Sequence, residues 1–183
     1  MKRILFSLLC LSFSFASFAQ KFSPTIKEGT VINSIAYVQG QEFPLILKIK
    51  SAATPFVIEW MVDGYGEGTF EMTENAVSKG NRLFTPTQPS LGATKLADDE
   101  TFGMISKEAF KTLVDKKELT LSGMTFKVKP VPTAMKFGDK ELDVIHLTDA
   151  GGKLEIWILN NEKFPLIFQT SGMPIDMSVI EIK

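Results

Sequence analysis

The sequence predicts a mainly β (α+β) domain, built as a single curved antiparallel sheet or half-barrel with one packed helix at about residues 106–116. Two observations predict the sheet: apolar residues recur with a period of two, and short glycine-containing turns separate these stretches. Strands so closely spaced favour an antiparallel meander over β-α-β units, which need longer crossovers. The helix is predicted by one segment in which apolar residues recur at helical spacing.

The predicted strands are the segments in which apolar and polar residues alternate most clearly. Successive side chains of a strand point to opposite faces, so each segment turns one apolar face toward a core. Residues suited to tight turns stand between the strands. The four clearest strands cover residues 43–49, 56–62, 154–158 and 175–179, and the turn signals fall at 39–41, 63–64, 122–123, 150–152 and 171–172.

The predicted helix begins after Ser106, a residue type whose hydroxyl caps the free N–H groups of a first turn. Phe110 and Leu113 belong to its apolar stripe, and lysines follow at 116–117, where the helix dipole favours positive charge. A second, shorter helical turn is predicted over residues 74–79.

Residues 85–103 form the longest stretch without a periodic pattern, and they contain two prolines and two glycines. Long connections of this kind in small domains are either irregular crossovers packed on the core or mobile lids over a binding site. Both alternatives fit the sequence.

Residues 1–19 are predicted to be a secretory signal peptide, cleaved before Gln20. Lys2 and Arg3 precede an apolar run over residues 4–11, and the segment ends in small residues at 17 and 19. An uncleaved membrane anchor and a lipoprotein acylated at Cys10 are the alternatives. The apolar run is short for an anchor, and Leu9 stands where lipoprotein processing needs a small residue. We therefore expect an exported protein, periplasmic or secreted, in which residues 20–183 form a single β-rich domain.

Cleavage would leave 18 basic and 21 acidic side chains, because Lys2 and Arg3 are lost from totals of 20 and 21. A slightly acidic chain offers no basic field for nucleic acid. The chain's only cysteine also leaves with the signal, so the core must be stable without disulfides. No further apolar run is long enough to predict a transmembrane segment in the mature chain.

Few residues suggest catalysis or metal binding, so we expect no enzyme activity, no catalytic residue, no metal and no cofactor. His146 is the only histidine and is expected to be a partly buried strand residue with a hydrogen-bond partner. The acidic run at 98–100 is either a calcium ligand set or a solvated loop. Arg82, the one arginine after cleavage, is either a structural tie to a carboxylate or carbonyl or a ligand clamp.

Large apolar side chains are abundant. Four of the fifteen phenylalanines and one of the eight methionines precede residue 20, which leaves eleven and seven. Methionine and aromatic side chains fill cores, and they also line pockets for flexible apolar ligands. The candidate ligand-binding residues are Trp60, Met72, Phe102, Phe110, Trp157 and Phe168.

The C-terminal part of the chain resembles envelope lipid carriers of the LolA/LolB-like type. The resemblance rests on Ile156-Trp157-Ile158, a short turn and Phe164-Pro165-Leu166-Ile167, and it covers about residues 153–183. It implies a curved antiparallel sheet around a hydrophobic groove with helical cover. No individual ligand residue is carried over from that family.

Three functions follow as expectations. The first is an exported envelope domain that binds a lipid or other hydrophobic small molecule non-covalently in a cavity of the sheet. The second is a structural or interaction module of the envelope, with a solid core and a protein partner. The third is a hydrolase with an unrecognised carboxylate pair, which would need two acids close together in a cleft.

Overall fold

The computed structural model describes residues 21–183; the predicted signal peptide and Cys10 lie outside them. Within the described residues the chain forms two helices and fifteen strands. The helices are α1 (Glu74–Lys79) and α2 (Lys107–Lys116). The strands are β1 (Val31–Val38), β2 (Gln41–Ser51), β3 (Phe56–Val62), β4 (Gly66–Met72), β5 (Arg82–Leu83), β6 (Gly92–Lys95), β7 (Glu100–Thr101), β8 (Glu118–Leu121), β9 (Met124–Lys129), β10 (Lys136–Phe137), β11 (Lys140–Glu141), β12 (Val144–Asp149), β13 (Glu155–Leu159), β14 (Ile167–Ser171) and β15 (Asp176–Ile182).

Eleven strands form one open sheet in the order β6-β4-β3-β2-β1-β15-β14-β13-β12-β9-β8. Strands β1 to β4 form one antiparallel meander and β12 to β15 a second, and the two meet where β1 pairs with β15. The mainly β fold predicted from alternation is confirmed. Two pairings depart from the predicted antiparallel pattern. Within the large sheet β6 runs parallel to β4, because the chain returns through α1 and a crossover before joining that edge. Outside it, the short strands β5 and β7 also pair in parallel.

Both predicted helices are present. The Ser106 hydroxyl accepts the Ala109 N–H at 3.3 Å and begins α2, while Phe110 and Leu113 are buried beneath it. The helix ends at Lys117, which adopts a left-handed conformation with φ of 57°. In the shorter α1, the side chain of Thr73 caps the first turn.

The inner face of the sheet is defined here as the face that carries the buried side chains of β1 to β4. Along these strands one residue in two is buried, among them Ile32, Leu47, Ile58, Trp60 and Phe70. Their outward neighbours are partly or fully exposed. This is the pattern expected of a sheet with one face on a core and the other in water.

Strands β12 to β14 are buried on both faces. Ile156 and Ile158 pack in one cluster with Phe110 of α2, whereas Trp157 belongs to the cluster on the opposite face. That opposite face is covered by residues 22–26 and 131–137. Because β13 is buried on both faces, its residues 156–159 are all apolar and do not alternate with polar residues.

Residues 85–103 are largely a packed crossover. They contain β6 and β7 and bring Leu96 and Phe102 onto the inner-face core. Of the two alternatives left by the sequence, the packed crossover therefore describes most of this segment, while residues 85–89 border the cavity described below.

Candidate functional site

A cavity of about 330 Å³ lies between the inner face of the sheet and the crossover. The sheet supplies side chains from β1, β2, β3, β4, β14 and β15, and residues 83–89 and 102–103 cover them. The lining residues are Ala36, Val38, Phe43, Leu45, Trp60, Val62, Tyr65, Phe70, Leu83, Phe84, Thr85, Pro86, Thr87, Gln88, Pro89, Phe102, Gly103, Ile167, Thr170, Ile175 and Met177.

The strand part of the lining follows directly from the period of two. Ala36 on β1 lies opposite Phe43 on β2, and Leu45 on β2 lies opposite Val62 on β3. Paired residues of neighbouring strands share a face, so each pair turns both side chains into the cavity. The sheet therefore contributes an apolar wall held by backbone hydrogen bonds.

The rings of Phe84 and Phe102, which stand at the two ends of the crossover, pack against this wall. The Phe102 ring centroid lies 4.4 Å from that of Phe70, and the Phe84 centroid lies 5.3 Å from it in an edge-on arrangement. Aromatic pairs at these separations are favourable beyond their buried area. They fix the two ends of the crossover to the sheet.

The β3–β4 turn borders the cavity through Tyr65. The Tyr65 hydroxyl donates a hydrogen bond to the Pro89 carbonyl at 2.6 Å, so the turn is tied to residues 85–89. The Leu91 side chain lies against Gly66, where a Cβ atom would approach its Cδ2 to 2.6 Å. Gly66 also has φ of 139°, a conformation that side chains rarely adopt.

The cavity contains few polar groups and no charged side chain. Trp60 is 1% exposed, and its indole Nε1–H has no hydrogen-bond partner among the described residues. Its ring lies over Gly68, where a Cβ atom would come within 2.9 Å of Nε1. Buried indole N–H groups normally have a partner. Here the Nε1 atom is itself covered and faces Gly68, so Trp60 contributes the apolar surface of its ring to the cavity.

Two of the six predicted ligand-binding residues, Trp60 and Phe102, line this cavity together. Met72 is fully buried beneath them, and its sulfur accepts the Phe102 N–H at 3.3 Å. It supports the wall without lining the cavity.

The other three candidates are packed elsewhere. Phe110 belongs to α2, and its side chain is buried on the core side of that helix. Phe168 packs edge-on against Phe137 with ring centroids 6.5 Å apart. Trp157 stacks on His146 at 4.6 Å between centroids. The structure thus brings together two of the six and places four in packed surroundings.

His146 is buried in β12, as expected of a strand histidine with a partner. Its Nδ1 lies 3.0 Å from the Pro130 carbonyl, which can only accept, so Nδ1 carries the proton in this contact. Its Nε2 lies 3.7 Å from a Glu155 carboxylate oxygen, too far for a hydrogen bond.

Of the two alternatives that the sequence leaves for Arg82, the structure shows the tie to carboxylates. The Arg82 guanidinium contacts Asp99 at 3.2 Å and Glu100 at 2.7 Å, across the β5–β7 pair. Asp98 instead accepts a hydrogen bond from Thr73. Two acids of the run thus share Arg82 and the third is bound by Thr73. Within residues 21–183 no three acidic, histidine or cysteine side chains are grouped as a metal site.

Two carboxyl groups have perturbed pKa values, and both lie outside the cavity lining. The pKa of Asp149 is lowered, chiefly by the Leu154 N–H and also by the N–H groups of Gly151 and Lys153. The pKa of Glu181 is lowered by hydrogen bonds from Lys183 and then Asn33. These are structural contacts, and the cavity wall carries no carboxylate for the pair that a hydrolase would need.

Sequence reasoning missed much of the lining, including Phe43, Tyr65 and Phe84. Phe43 had a usable signal, since it alternates in phase with Leu45 and so shares its face. Tyr65 and Phe84 lie in a turn and a crossover, where no periodicity indicates orientation.

A second, more polar depression lies at the β14–β15 turn, lined by residues that include Tyr37, Gln169 and Asp176. Asp176 already accepts hydrogen bonds from Thr170 and from the N–H groups of Gly172 and Met173.

No helix of the described residues is long and apolar enough to cross a membrane. Comparison with protein-family models and with curated protein sequences gave no match.

Proposed function

We propose that this protein is an exported envelope domain that binds a lipid or other hydrophobic molecule non-covalently in the cavity beneath the crossover. The observation that carries the proposal is an apolar cavity of about 330 Å³ whose few polar lining residues include Thr85, Gln88 and Thr170. Ligand sites are typically concave, mainly apolar and furnished with few polar groups.

The energetic argument supports an occupant. The cavity presents an apolar wall to solvent in the unliganded protein. Each methylene group of a ligand buried against such a wall contributes about 0.8 kcal/mol. A ligand that fills the space gains part of this free energy, so the protein is expected to be more stable when loaded.

Export is part of the proposal, on the strength of the signal-peptide pattern in residues 1–19. The resemblance of residues 153–183 to envelope lipid carriers supports the same assignment. The predicted mature chain has no cysteine, so no disulfide can hold its cavity open. The pairing of β1 with β15 joins the two meanders into one continuous sheet, and this sheet forms the cavity wall.

The experiment is extraction of the natively purified protein with organic solvent, followed by mass spectrometry of the extract. Val62 faces the cavity, whereas its neighbour Met61 is 42% exposed on the outer face. The Val62→Trp variant fills the site, and Met61→Trp is the matched control on the same strand. Val62→Phe replaces Val62→Trp if the larger ring prevents folding.

We expect a hydrophobic compound in near-stoichiometric amount with the wild type and with Met61→Trp, and its loss with Val62→Trp. An extract no richer than that of an unrelated exported protein would overturn the proposal. Equal loading of Val62→Trp and wild type would overturn it as well, because the compound would then lie outside the cavity.

A structural or interaction module is the second candidate, favoured by apolar side chains on the outer face. Ile46 and Met61 lie opposite each other on β2 and β3 and are 38% and 42% exposed. Large exposed apolar groups mark contact surfaces when they are contiguous. Sedimentation of the wild type and of Ile46→Lys over a range of concentrations tests this. Self-association of the wild type that Ile46→Lys abolishes would support an interaction module. A wild-type protein that stays monomeric at every concentration would exclude self-association through this face.

A further inference from the structure

Residues 85–91, called the strap below, form a part of the cavity wall that is also in contact with solvent. Residues 85–89 line the cavity, yet no residue of the strap is buried. On the other side of the cavity, the lining residues Trp60, Phe70 and Ile167 are each 1% exposed and form its floor. The strap therefore lies on the solvent side of the cavity.

Both ends of the strap are fixed to the rest of the protein. Just before the strap begins, the Phe84 N–H donates a hydrogen bond to the Thr101 carbonyl at 2.8 Å. Just after it ends, Gly92 begins β6 and pairs with Gly68 on β4. The strap thus joins two fixed points, one beside the β5–β7 pair and one at the edge of the large sheet.

Between its ends the strap is held by a single hydrogen bond. Among the described residues, the only hydrogen bond of residues 85–90 is the one that the Tyr65 hydroxyl donates to the Pro89 carbonyl at 2.6 Å. Leu91 lies against Gly66 but remains 63% exposed. Segments with few hydrogen bonds and little buried surface open at a low cost in free energy.

The other walls of the cavity are held more firmly. Ala36 and Val62 belong to β1 and β3, which are paired with a neighbouring strand on each side. At the far end of the crossover, the Gly103 carbonyl accepts the Ile167 N–H at 2.9 Å. The strap is therefore the wall that moves at the lowest cost.

We infer that the strap is the gate of the cavity: it moves away from the sheet to admit or release a ligand, and the Tyr65–Pro89 hydrogen bond holds it closed. The inference rests on the proposed function and concerns how the ligand of that site exchanges. The hydrogen bond is present with and without ligand, so its loss favours the open strap equally in both states. It therefore controls the rates of binding and release and leaves the affinity unchanged.

The first test measures exchange of a bromine-labelled dodecyl alcohol, because bromine quenches tryptophan fluorescence on contact. Stopped-flow mixing with delipidated protein gives the association rate, and displacement by excess unlabelled dodecanol gives the dissociation rate. We expect Tyr65→Phe to raise both rates about fivefold, the equivalent of about 1 kcal/mol for one hydrogen bond, with an unchanged dissociation constant. The control is Tyr37→Phe, which removes the chain's other tyrosine hydroxyl outside the cavity lining and should leave both rates at the wild-type value.

A second test follows the strap without any ligand. The predicted mature chain has no cysteine, so Ile167→Cys places a single thiol on the cavity floor. We expect iodoacetamide to modify this thiol about fivefold faster when Tyr65→Phe is added, since the reagent reaches the floor when the strap opens. Met61→Cys, on the outer face, should react at the same rate with either residue at position 65. Val62→Cys replaces Ile167→Cys if the latter does not fold.

The outcomes separate the gate from the proposed function. If the alcohol binds but Tyr65→Phe leaves exchange and thiol modification at wild-type rates, the gate is wrong while the lipid-binding function stands. If Tyr65→Phe changes the dissociation constant and leaves the association rate unchanged, Tyr65 acts on the bound ligand and the gate is again wrong. If the alcohol does not bind to the wild type, the proposed function is wrong, whatever the rate of thiol modification.

Discussion

Replacing Ala36 with phenylalanine changes the cavity more selectively than any other single substitution in its wall. Ala36 is the smallest inward residue of β1, and it lies opposite Phe43 with its side chain directed into the open space. The Ala36→Phe variant therefore adds one phenyl ring to the cavity. Ile35→Phe, one residue away and on the outer face, is its matched control.

The magnitude follows from the volume. A phenyl ring is the size of benzene, which occupies about 150 Å³, so the variant removes nearly half of about 330 Å³. Burying the added ring against the apolar wall stabilises the unliganded protein by up to about 3 kcal/mol. Strain of fitting a ring into a formed site offsets 1–3 kcal/mol of that, roughly, and leaves a net gain of up to about 2 kcal/mol.

Ligand binding should change in the opposite direction. The reduced cavity holds about seven carbons instead of about thirteen, so five or six methylene groups of a dodecyl chain lose their burial. At about 0.8 kcal/mol for each methylene, dodecanol should bind at least about a hundredfold more weakly. A hexyl chain should bind about as well as before.

Two measurements check these expectations: urea unfolding of delipidated protein, and displacement titrations with alcohols of increasing chain length. Ala36→Phe should raise the midpoint of unfolding and shift the preferred chain to shorter alcohols, while Ile35→Phe should leave the preferred chain as in the wild type. The reasoning is refuted if a folded Ala36→Phe protein retains wild-type affinity for dodecanol.

Three further substitutions test other contacts. Tyr65→Phe removes the hydrogen bond to Pro89, worth about 1 kcal/mol, so hydrogen exchange at residues 85–91 should quicken about fivefold; unchanged exchange would show that the bond does not hold the segment. Gly68→Ala places a Cβ atom 2.5 Å from a backbone oxygen and 2.9 Å from the Trp60 ring, and thermal unfolding should show a loss of about 1–3 kcal/mol; wild-type stability would contradict this close packing. Asp149→Asn should lower stability at pH 7: because folding lowers the carboxyl pKa, its stabilising effect is present above the unfolded-state pKa and lost as pH falls through the folded-state pKa. The urea midpoints of this variant and of the wild type should therefore converge in acid. A difference between the two midpoints that stays the same at every pH would exclude the lowered carboxyl pKa as the cause.

Much of the fold is predictable because strands and helices leave periodic signals. Residues 56–62 alternate strictly, which is enough to place Trp60 on the inner face. Ser106 with the stripe through Phe110 is enough to begin α2 within one residue. The parallel docking of β6 has no such signal, since Gly92–Lys95 is four residues long and its pairing depends on where the crossover leads.

The candidate site is less predictable, because composition does not distinguish a side chain that fills a core from one that borders a void. Trp60 on β3 and Met72 on β4 both point to the inner face of the sheet, yet of these two only Trp60 borders the cavity. Trp157 was a reasonable candidate by residue type, but residues 22–26 and 131–137 cover the face on which it lies. That cover depends on contacts between distant segments, which a single sequence does not reveal.

The central claim is that an aliphatic ligand lies against Trp60 inside the sheet, and fluorescence quenching by a bromine-labelled dodecyl alcohol tests it directly. The chain has two tryptophans, so Trp157→Phe leaves Trp60 as the sole emitter, and Trp60→Phe leaves only Trp157, which stacks on His146 away from the cavity. The account predicts saturable quenching of Trp60, reversed by unlabelled dodecanol, and little quenching of Trp157. Unquenched Trp60 emission at saturating ligand, or equal quenching of both tryptophans, would contradict it.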